Sequence, residues 1–261
     1  MKSHQLNHIL NNKTLGSSEL VRGLNDHLIS ILNNKIEIIK SIRLAKTKLG
    51  HFEAINSYLN EINSIMKEKN EGELRDFLMS FSSKENKKLE AIFDKVHPKL
   101  KKVKKVITLS RSGTVLGILK LLHQKNNNLQ VVVCESRPKQ EGRLFAKELV
   151  SNGIKVELIT DAMMALYVLK IDAAIIGADI VLETGNVVNK VGSKALALLC
   201  REYKKPLFVV TAKLKLSKKK IFKSKKENPQ EVWDSKVKKI SVSNIYFEEI
   251  EKKLITNIFT E

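Results

Sequence analysis

Apolar residues in the first hundred positions recur at steps of three and four, which is the spacing of one face of an amphipathic helix. No proline interrupts this pattern before Pro98, so we expect a helical domain over residues 1–98. The clearest run of this spacing comprises Leu24, Leu28, Ile31, Leu32, Ile36, Ile39 and Ile42.

Two positions within this region predict interruptions of the helical pattern. Asn70 or Gly72 suits a break between helices, because both residue types favour turns. Ser82 or Ser83 suits the N-cap of the helix that follows, because a serine hydroxyl can accept a hydrogen bond from a free N–H of the first turn.

The pattern changes after Pro98 into five short runs rich in Val and Ile, each of a length that suits a buried strand. The stretches between them have the spacing of amphipathic helices. Strands that alternate with helices predict a parallel sheet covered on both faces. We therefore expect an α/β fold in which a Rossmann-like domain over residues 99–261 follows the helical domain. The five runs are "KVITLS", "LQVVVCES", "IKVELIT", "DAAIIGAD" and "PLFVVTA".

The formal charge of +19 raises the question of a nucleic-acid partner. The excess is almost all lysine, whereas the readout of bases favours arginine, so the composition favours ordinary surface charge over a dedicated nucleic-acid site. The densest basic segment is "KLKLSKKKIFKSKKEN" at residues 213–228. We interpret it as a basic loop that could meet an acidic partner or RNA.

Cysteine usage and hydropathy limit the cellular compartment and the class of protein. Cys134 and Cys200 both lie in apolar segments without metal-ligand spacing, which predicts a reducing, cytoplasmic compartment. Cys134 could be a nucleophile, but its place at the end of "VVVC" favours a buried structural thiol. We expect no secretory signal and no membrane span, because no apolar run is long enough. Neither a metal nor a cofactor is expected.

Polar side chains follow each predicted strand, where ligands bind in open α/β sheets. The first strand runs into "TLSRSG", which contains Ser110, Arg111, Ser112 and Gly113. This turn suits a catalytic serine, a phosphate cradle or a helix cap.

The second strand is followed by "ESRPKQEGR", residues 135–143. Arg137 and Arg143 could clamp a phosphate or carboxylate. Alternatively the segment is a turn in which Glu135 pairs with an arginine. After the third strand, Asp161 is predicted to cap a helix.

The fourth strand ends in "GAD", and "NK" follows ten residues later. Asp179 directly after a buried strand could act as an acid or base or bind a hydroxyl, and Lys190 beside Asn189 could neutralise a phosphate. Alternatively, Asp179 caps a turn and Lys190 is solvated.

These motifs, in their order and context, resemble the family that unites the alpha, beta and delta regulatory subunits of translation initiation factor 2B with ribose-1,5-bisphosphate isomerase and methylthioribose-1-phosphate isomerase. The resemblance covers "ESRPKQEGRLFAKELVSNGIKVELITDA" and "GADIVLETGNVVNKVGSKALALLCREYKKPLFVVTA" well, and the helical region by architecture only. It implies a helical domain fused to a Rossmann-like domain, and dimers formed through the latter.

The same resemblance assigns roles to individual residues. In the isomerases a Cys and the Asp of "GAD" transfer a proton between C1 and C2 of a phosphorylated sugar, and the Asn-Lys pair holds the substrate. The Asp falls on Asp179, the pair on Asn189 and Lys190, and the Cys on Ser110. A hydroxyl is a far weaker acid than a thiol, which puts catalysis in doubt.

The resemblance therefore predicts a non-catalytic regulatory subunit that self-associates as a homodimer or higher homo-oligomer and keeps a sugar-phosphate or nucleotide crevice. The Arg-Gly-Ala and Arg-Pro-Thr segments that bind phosphate in the isomerases have no match here. Two alternatives stay open: an aldose–ketose isomerase in which Asp179 is catalytic, and an RNA-associated module. An initiation factor is a further possible partner. The predicted ligand-binding residues are Ser110, Arg111, Ser112, Gly113, Glu135, Arg137, Arg143, Asp179, Asn189 and Lys190.

Overall fold

The computed structural model describes residues 2–12, 15–68, 71–234, 237 and 239–261. Its first part is helical, as the apolar spacing predicts. Five helices follow one another: α1 (Lys2–Asn11), α2 (Ser17–Ser30), α3 (Lys35–Leu49), α4 (Glu53–Lys67) and α5 (Glu71–Leu100).

Helix α4 ends at Lys67 and α5 begins at Glu71, so the helical pattern is interrupted where Asn70 or Gly72 was expected to break it; Gly72 itself lies in the first turn of α5, and Asn70 lies outside the described residues. Helix α5 is then one continuous helix of 30 residues, which corrects one prediction. Ser83 does not cap a new helix, because its hydroxyl donates to the carbonyl of Ser80 within α5. The helix stays unbroken because both of its halves are packed: Leu78 lies in the core of the helical region and Val96 in the core beneath the sheet.

The second part alternates strands and helices. It comprises β1 (Lys105–Leu109), α6 (Gly113–Lys125), β2 (Gln130–Cys134), α7 (Glu141–Ser151), β3 (Lys155–Ile159), α8 (Met164–Val168), β4 (Ala173–Ile176), β5 (Ile180–Val181), β6 (Val187–Lys190), α9 (Ser193–Glu202), β7 (Leu207–Val210), β8 (Phe247–Ile250) and β9 (Asn257–Phe259). Short 3-10 helices lie at Asp161–Met163, Lys213–Lys215, Pro229–Glu231 and Lys252–Leu254.

Six strands form the expected parallel sheet, in the order β3-β2-β1-β4-β7-β9. Alternate residues of each strand face opposite cores. Val131 and Val133 of β2 pack with helices α5, α6 and α7, whereas Val132 and Cys134 pack with α8 and α9. The predicted α/β fold with a Rossmann-like sheet is therefore confirmed.

A second sheet of three antiparallel strands, β5-β6-β8, was not expected from the sequence. Strands β5 and β6 form a hairpin whose turn contains Gly185 at φ +83°, a conformation that favours glycine. The sheet matters for the site because Asn189 and Lys190 lie on β6 and not in a loop. Among the described residues, no helix is long and apolar enough to cross a membrane.

Candidate functional site

The strand order reverses between β1 and β4, which is where open α/β sheets bind ligands. A pocket of about 30 Å³ lies at the carboxyl ends of these two strands. Its wall combines the turn at 110–113, the segment 177–179, the start of helix α2 at 16–18, and the side chains of Asn189 and Lys215. We call this pocket the crevice.

The turn after β1 is held by hydrogen bonds to neighbouring strand ends. Ser110 adopts φ +70°, and its N–H donates to Ser136 Oγ at 2.7 Å. Its own hydroxyl donates to Glu141 Oε1 at 3.0 Å. Ser112 caps α6, because its Oγ accepts from Val115 N at 3.4 Å. The turn is therefore a helix cap that also faces the crevice.

Gly177 allows the end of β4 to approach this cap. A Cβ at Gly177 would lie 2.6 Å from Ser112 Oγ and 2.9 Å from Ser112 Cβ, distances that real Cβ atoms do not adopt. A Cβ added at Gly113, in contrast, would meet no neighbouring atom within 4 Å. Only the first of these two crevice glycines is thus required by packing.

The guanidinium of Arg111 is occupied by protein carboxylates. Arg111 Nε lies 3.0 and 3.1 Å from the two carboxylate oxygens of Glu148 on α7, and Nη1 and Nη2 contact Glu19 on α2. The side chain is 9% exposed. Burial alone would lower the pKa of Arg111, but the hydrogen bonds to Glu148 and Glu19 outweigh it and raise that pKa. In this structure Arg111 connects the helical region to the sheet region.

The predicted arginine clamp is not assembled at the crevice. Arg143 Nη2 lies 2.9 Å from Glu135 Oε2, which is the pairing of the turn alternative. Arg137 Nη2 donates to the carbonyl of Val232 at 3.0 Å. None of Glu135, Arg137 and Arg143 lines the crevice. Their role as ligand-binding residues stays a prediction without geometric support.

Asp161 corrects a further prediction. The 3-10 helix Asp161–Met163 has Thr160 at its N-cap and no side-chain cap. The Asp161 carboxylate instead accepts from Ser136 N at 2.9 Å and Arg137 N at 2.7 Å. It fixes the loop after β2, which in turn holds Ser110.

Gly142, at the start of α7, lies against the end of β2. A Cβ there would lie 2.0 Å from the carbonyl oxygen of Cys134. This close approach places Glu141 beneath the turn after β1. Cys134 itself is fully buried, and burial raises the pKa of its thiol, as the prediction of a structural cysteine implies.

Asp179 contributes a carboxyl group to the wall of the crevice. No described residue forms a hydrogen bond with its carboxylate. Burial raises its pKa, Lys215 and Lys190 oppose this effect, and Glu141 adds to it. Asp179 is surrounded by protein but is only partly buried by its accessible surface, because it faces two pockets.

Asn189 and Lys190 are both buried but differ in their relation to the crevice. Asn189 lines it and donates from Nδ2 to Ser193 Oγ at 2.9 Å. Lys190 Nζ lies 2.9 Å from Glu141 Oε1 and 5.0 Å from the ring centre of Tyr246. Since Glu141 also accepts from Ser110, one carboxylate joins the two residues.

Lys215 and Ser17 are crevice residues that the sequence analysis did not identify. Lys215 is 5% exposed, and its Nζ has no hydrogen bond or ion pair with any described residue. Burial lowers the pKa of Lys215, which Asp179 partly opposes. Ser17 is 3% exposed, and its Oγ has no partner among the described residues. Lys215 follows the end of β7, so the strand-end rule could have identified it within the basic run.

A second pocket of about 240 Å³ lies on the other side of Asp179. It is bounded by the turn before α4, the antiparallel sheet and the basic loop at 213–228. Burial, and after it the charge of Lys225, lower the pKa of His51 in its wall. The rest of its lining comprises Phe52, Ile180, Leu182, Val188, Ile221, Phe222, Tyr246 and Phe247, with Lys219, Lys223, Lys225 and Glu227.

Several lysines of the basic loop have partners within the chain. Lys219 Nζ lies 2.9 Å from Glu53 Oε2, Lys220 lies 3.9 Å from Glu183, and Lys225 lies 3.8 Å from Glu227. These pairs are exposed on at least one side and are individually weak. Among the described residues, no group of three His, Cys, Asp or Glu side chains is placed to hold a metal ion.

Comparison with known proteins decides the family. The model of the Initiation factor 2 subunit family matches residues 5–261. The chain belongs to this family. Its relatives include a putative translation initiation factor eIF-2B subunit 2-like protein of Pyrococcus horikoshii, 42% identical over 40% of this chain and 38% of the relative. They also include the ribose 1,5-bisphosphate isomerase of Archaeoglobus fulgidus, 32% identical over 45% of this chain and 37% of the relative.

The similarity to these relatives covers less than half of their length. Solved structures in turn match almost the whole chain. Translation initiation factor eIF-2B of Pyrococcus horikoshii OT3 has a TM-score of 0.81 and 22% identity over 99% of this chain and 94% of that one. The 5-methylthioribose 1-phosphate isomerase of the same organism has a TM-score of 0.84 and 21% identity over 99% and 82%. At these identities the likeness concerns the fold.

Proposed function

We propose that this member of the family is a non-catalytic, initiation-factor-2B-like regulatory subunit that binds a phosphorylated sugar or nucleotide in the crevice. One observation carries the proposal. By the resemblance of its motif to the family, Ser110 falls where the isomerases have a proton-transferring Cys, and its hydroxyl donates to Glu141. An alkanol hydroxyl held by a carboxylate cannot serve as an easy proton donor near neutral pH.

The binding part of the proposal rests on the groups that face the crevice. Helices α2 and α6 both begin there, at Ser17 and Gly113, and the first N–H groups of a helix lack intrahelical partners and attract anions. The buried Ser17 hydroxyl and the buried Lys215 amine add two donors without protein partners among the described residues. This set suits a phosphate group.

The negative groups near the crevice do not prevent anion binding. Glu19, in the first turn of α2, is bound to Arg111, and Glu141 is bound to Lys190. Asp179 is held toward its neutral form by burial. The three carboxyl groups are thus neutralised by partners or by their environment.

The size of the crevice sets a requirement on binding. About 30 Å³ is the volume that one water molecule occupies in the liquid. A phosphorylated ribose therefore binds only if the start of α2 moves away from the strand ends, or if the sugar extends past Asp179 into the second pocket. Either route places the ligand between residues of the helical region and residues of the sheet region.

Self-association through the α/β part belongs to the same proposal. Strand β3 is an edge strand with Leu158 exposed, and two further exposed leucines, Leu166 and Leu198, lie on α8 and α9, which contact each other. Exposed apolar side chains of this kind are typical of protein interfaces. A solved structure of similar fold comes from a tetrameric eIF2B-beta2-delta2 complex of C. thermophilum, with a TM-score of 0.80 and 12% identity over 99% of this chain and 90% of that one.

Calorimetric titration with ribose 5-phosphate tests the binding function. We expect saturable binding to the wild type, loss of binding in Gly177→Ala, whose Cβ displaces Ser112 in the crevice wall, and unchanged binding in Lys204→Ala, an exposed lysine elsewhere. Equal affinity of Gly177→Ala and wild type would place the ligand outside the crevice and contradict the proposal.

The second candidate function is an aldose–ketose isomerase acting on ribose 1,5-bisphosphate or methylthioribose 1-phosphate. Asp179 favours it, because a carboxyl group with a raised pKa suits acid–base work and faces both pockets. Ketose formation from either substrate, abolished by Asp179→Asn, would establish this function in place of the first.

A further inference from the structure

The amine of Lys215 has the surroundings of a reactive lysine. It is buried beside Asp179 in the crevice wall, and no described residue forms an ion pair with it within 4 Å. Other lysines near the crevice have carboxylate partners, as Lys190 has Glu141 at 2.9 Å. A buried amine without a fixed partner is the arrangement that favours covalent chemistry with carbonyl carbons.

We propose that Lys215 captures the aldehyde carbon of an aldose phosphate as a reversible imine. The inference rests on the proposed sugar-phosphate crevice and adds a covalent step to it. Its ligand class is a sugar phosphate whose C1 is free to open to the aldehyde, such as ribose 5-phosphate. A sugar phosphorylated at C1 would bind without reacting, because its C1 oxygen is blocked.

The step balances with groups that are present. The neutral amine of Lys215 adds to C1, and the carbonyl oxygen takes up one of the amine's protons to form a carbinolamine. The neutral carboxyl group of Asp179 then protonates the hydroxyl, which leaves as water. The product is a protonated imine at Lys215 beside the carboxylate of Asp179, so no oxidant or reductant is needed.

The electrostatics of the pair favour the required protonation states. Capture needs a neutral amine and a neutral carboxyl group, which together hold the same number of protons as an ammonium and a carboxylate. Burial lowers the pKa of Lys215 and raises that of Asp179, so both shifts favour the neutral pair. The positive charge of the protonated imine is then stabilised by the negative charge of the Asp179 carboxylate.

Hydride trapping tests the inference. The full chain is incubated briefly with ribose 5-phosphate and cyanoborohydride, and the labelled position is located by peptide mass spectrometry. We expect one adduct per chain at Lys215, with the mass of ribose 5-phosphate less one oxygen atom. Excess inorganic phosphate should slow the labelling, and ribose 1,5-bisphosphate should protect without labelling.

Two variants separate capture from simple binding. Lys215→Arg keeps a hydrogen-bond donor at this position but has no primary amine, so it should lose the adduct and, without the covalent step, bind ribose 5-phosphate more weakly than the wild type in calorimetry. Lys213→Arg, at an exposed position two residues earlier, should be labelled at Lys215 as the wild type is. If the wild type binds the sugar but its label is spread over surface lysines, the imine is refuted and the binding proposal stands. If no sugar binds and no label forms, both fail.

Discussion

Replacing Gly177 by alanine should destabilise the protein through a single clash with Ser112. The new Cβ would lie 2.6 Å from Ser112 Oγ and 2.9 Å from Ser112 Cβ, so the cap residue has to move. Its movement breaks the hydrogen bond that Val115 N donates to Ser112 Oγ. The effect of the substitution therefore measures the contact between the end of β4 and the cap of α6, two elements that line the crevice.

The magnitude follows from these two losses. Loss of a serine cap costs about 1 kcal/mol, and overpacking of a tight contact adds about 1–3 kcal/mol. Ser112→Gly alone should cost only a few tenths of a kcal/mol, because glycine is tolerated at the N-cap. In that background the nearest of the remaining side-chain atoms to the Cβ at 177 is Val115 Cγ2 at 3.9 Å, an ordinary contact. The double variant should therefore be nearly as stable as Ser112→Gly.

Thermal unfolding of the wild type, both single variants and the double variant gives the four stabilities of a double-mutant cycle. A loss of about 2–4 kcal/mol lowers the melting temperature by at least about 4 °C in a chain of this size. Gly113→Ala is the matched control, since no atom lies within 4 Å of its Cβ position. If the two single effects simply add, the clash with Ser112 is not the cause and the described geometry of the crevice is wrong.

Three further substitutions test other contacts around the crevice. Arg111→Lys should lower stability to urea by about 1–2 kcal/mol, because lysine cannot bridge two partly exposed carboxylates with paired hydrogen bonds; an unchanged midpoint would contradict that bridge. Gly142→Ala should prevent normal folding, seen as loss of soluble monodisperse protein, because the carbonyl of Cys134 at 2.0 Å belongs to the backbone and cannot yield. Asp179→Asn should become more stable relative to the wild type as the pH rises above 3.8, because the folded wild type binds the proton of Asp179 more tightly than the unfolded chain does. If the difference in free energy of unfolding between the two proteins stays constant from pH 4 to 8, the raised pKa is refuted.

The parallel sheet was predictable because its strands are buried on both faces. Such strands appear as short Val- and Ile-rich runs, and the helices between them enforce parallel pairing. The position of the crevice followed from the same pattern, since Ser110 and Asp179 come directly after two of these runs. The antiparallel strands β5, β6 and β8 were not predictable, because β8 pairs with β6 from 57 or more residues away and none of the three is a long apolar run.

The side-chain partners in the site depend on contacts that are distant in the sequence. Arg111 meets Glu19 from 92 positions away, so its structural role is not visible in "TLSRSG". Lys215 was hidden among exposed lysines of one basic run, although its place after β7 distinguishes it. The predicted N-cap at Ser82 or Ser83 was wrong because serine only indicates that a cap is possible. Packing of both halves of α5 against the two cores keeps that helix continuous through these residues.

The most direct test of the central claim is carbon-13 NMR of ribose 1,5-bisphosphate labelled at C2, in the presence of a stoichiometric amount of protein and with the melting temperature measured on the same sample. A bound ligand raises the melting temperature whether or not it reacts. Our prediction is a raised melting temperature and no ketone signal at C2, because Ser110 cannot replace a thiol in the proton transfer. A ketone signal that Asp179→Asn abolishes would contradict it.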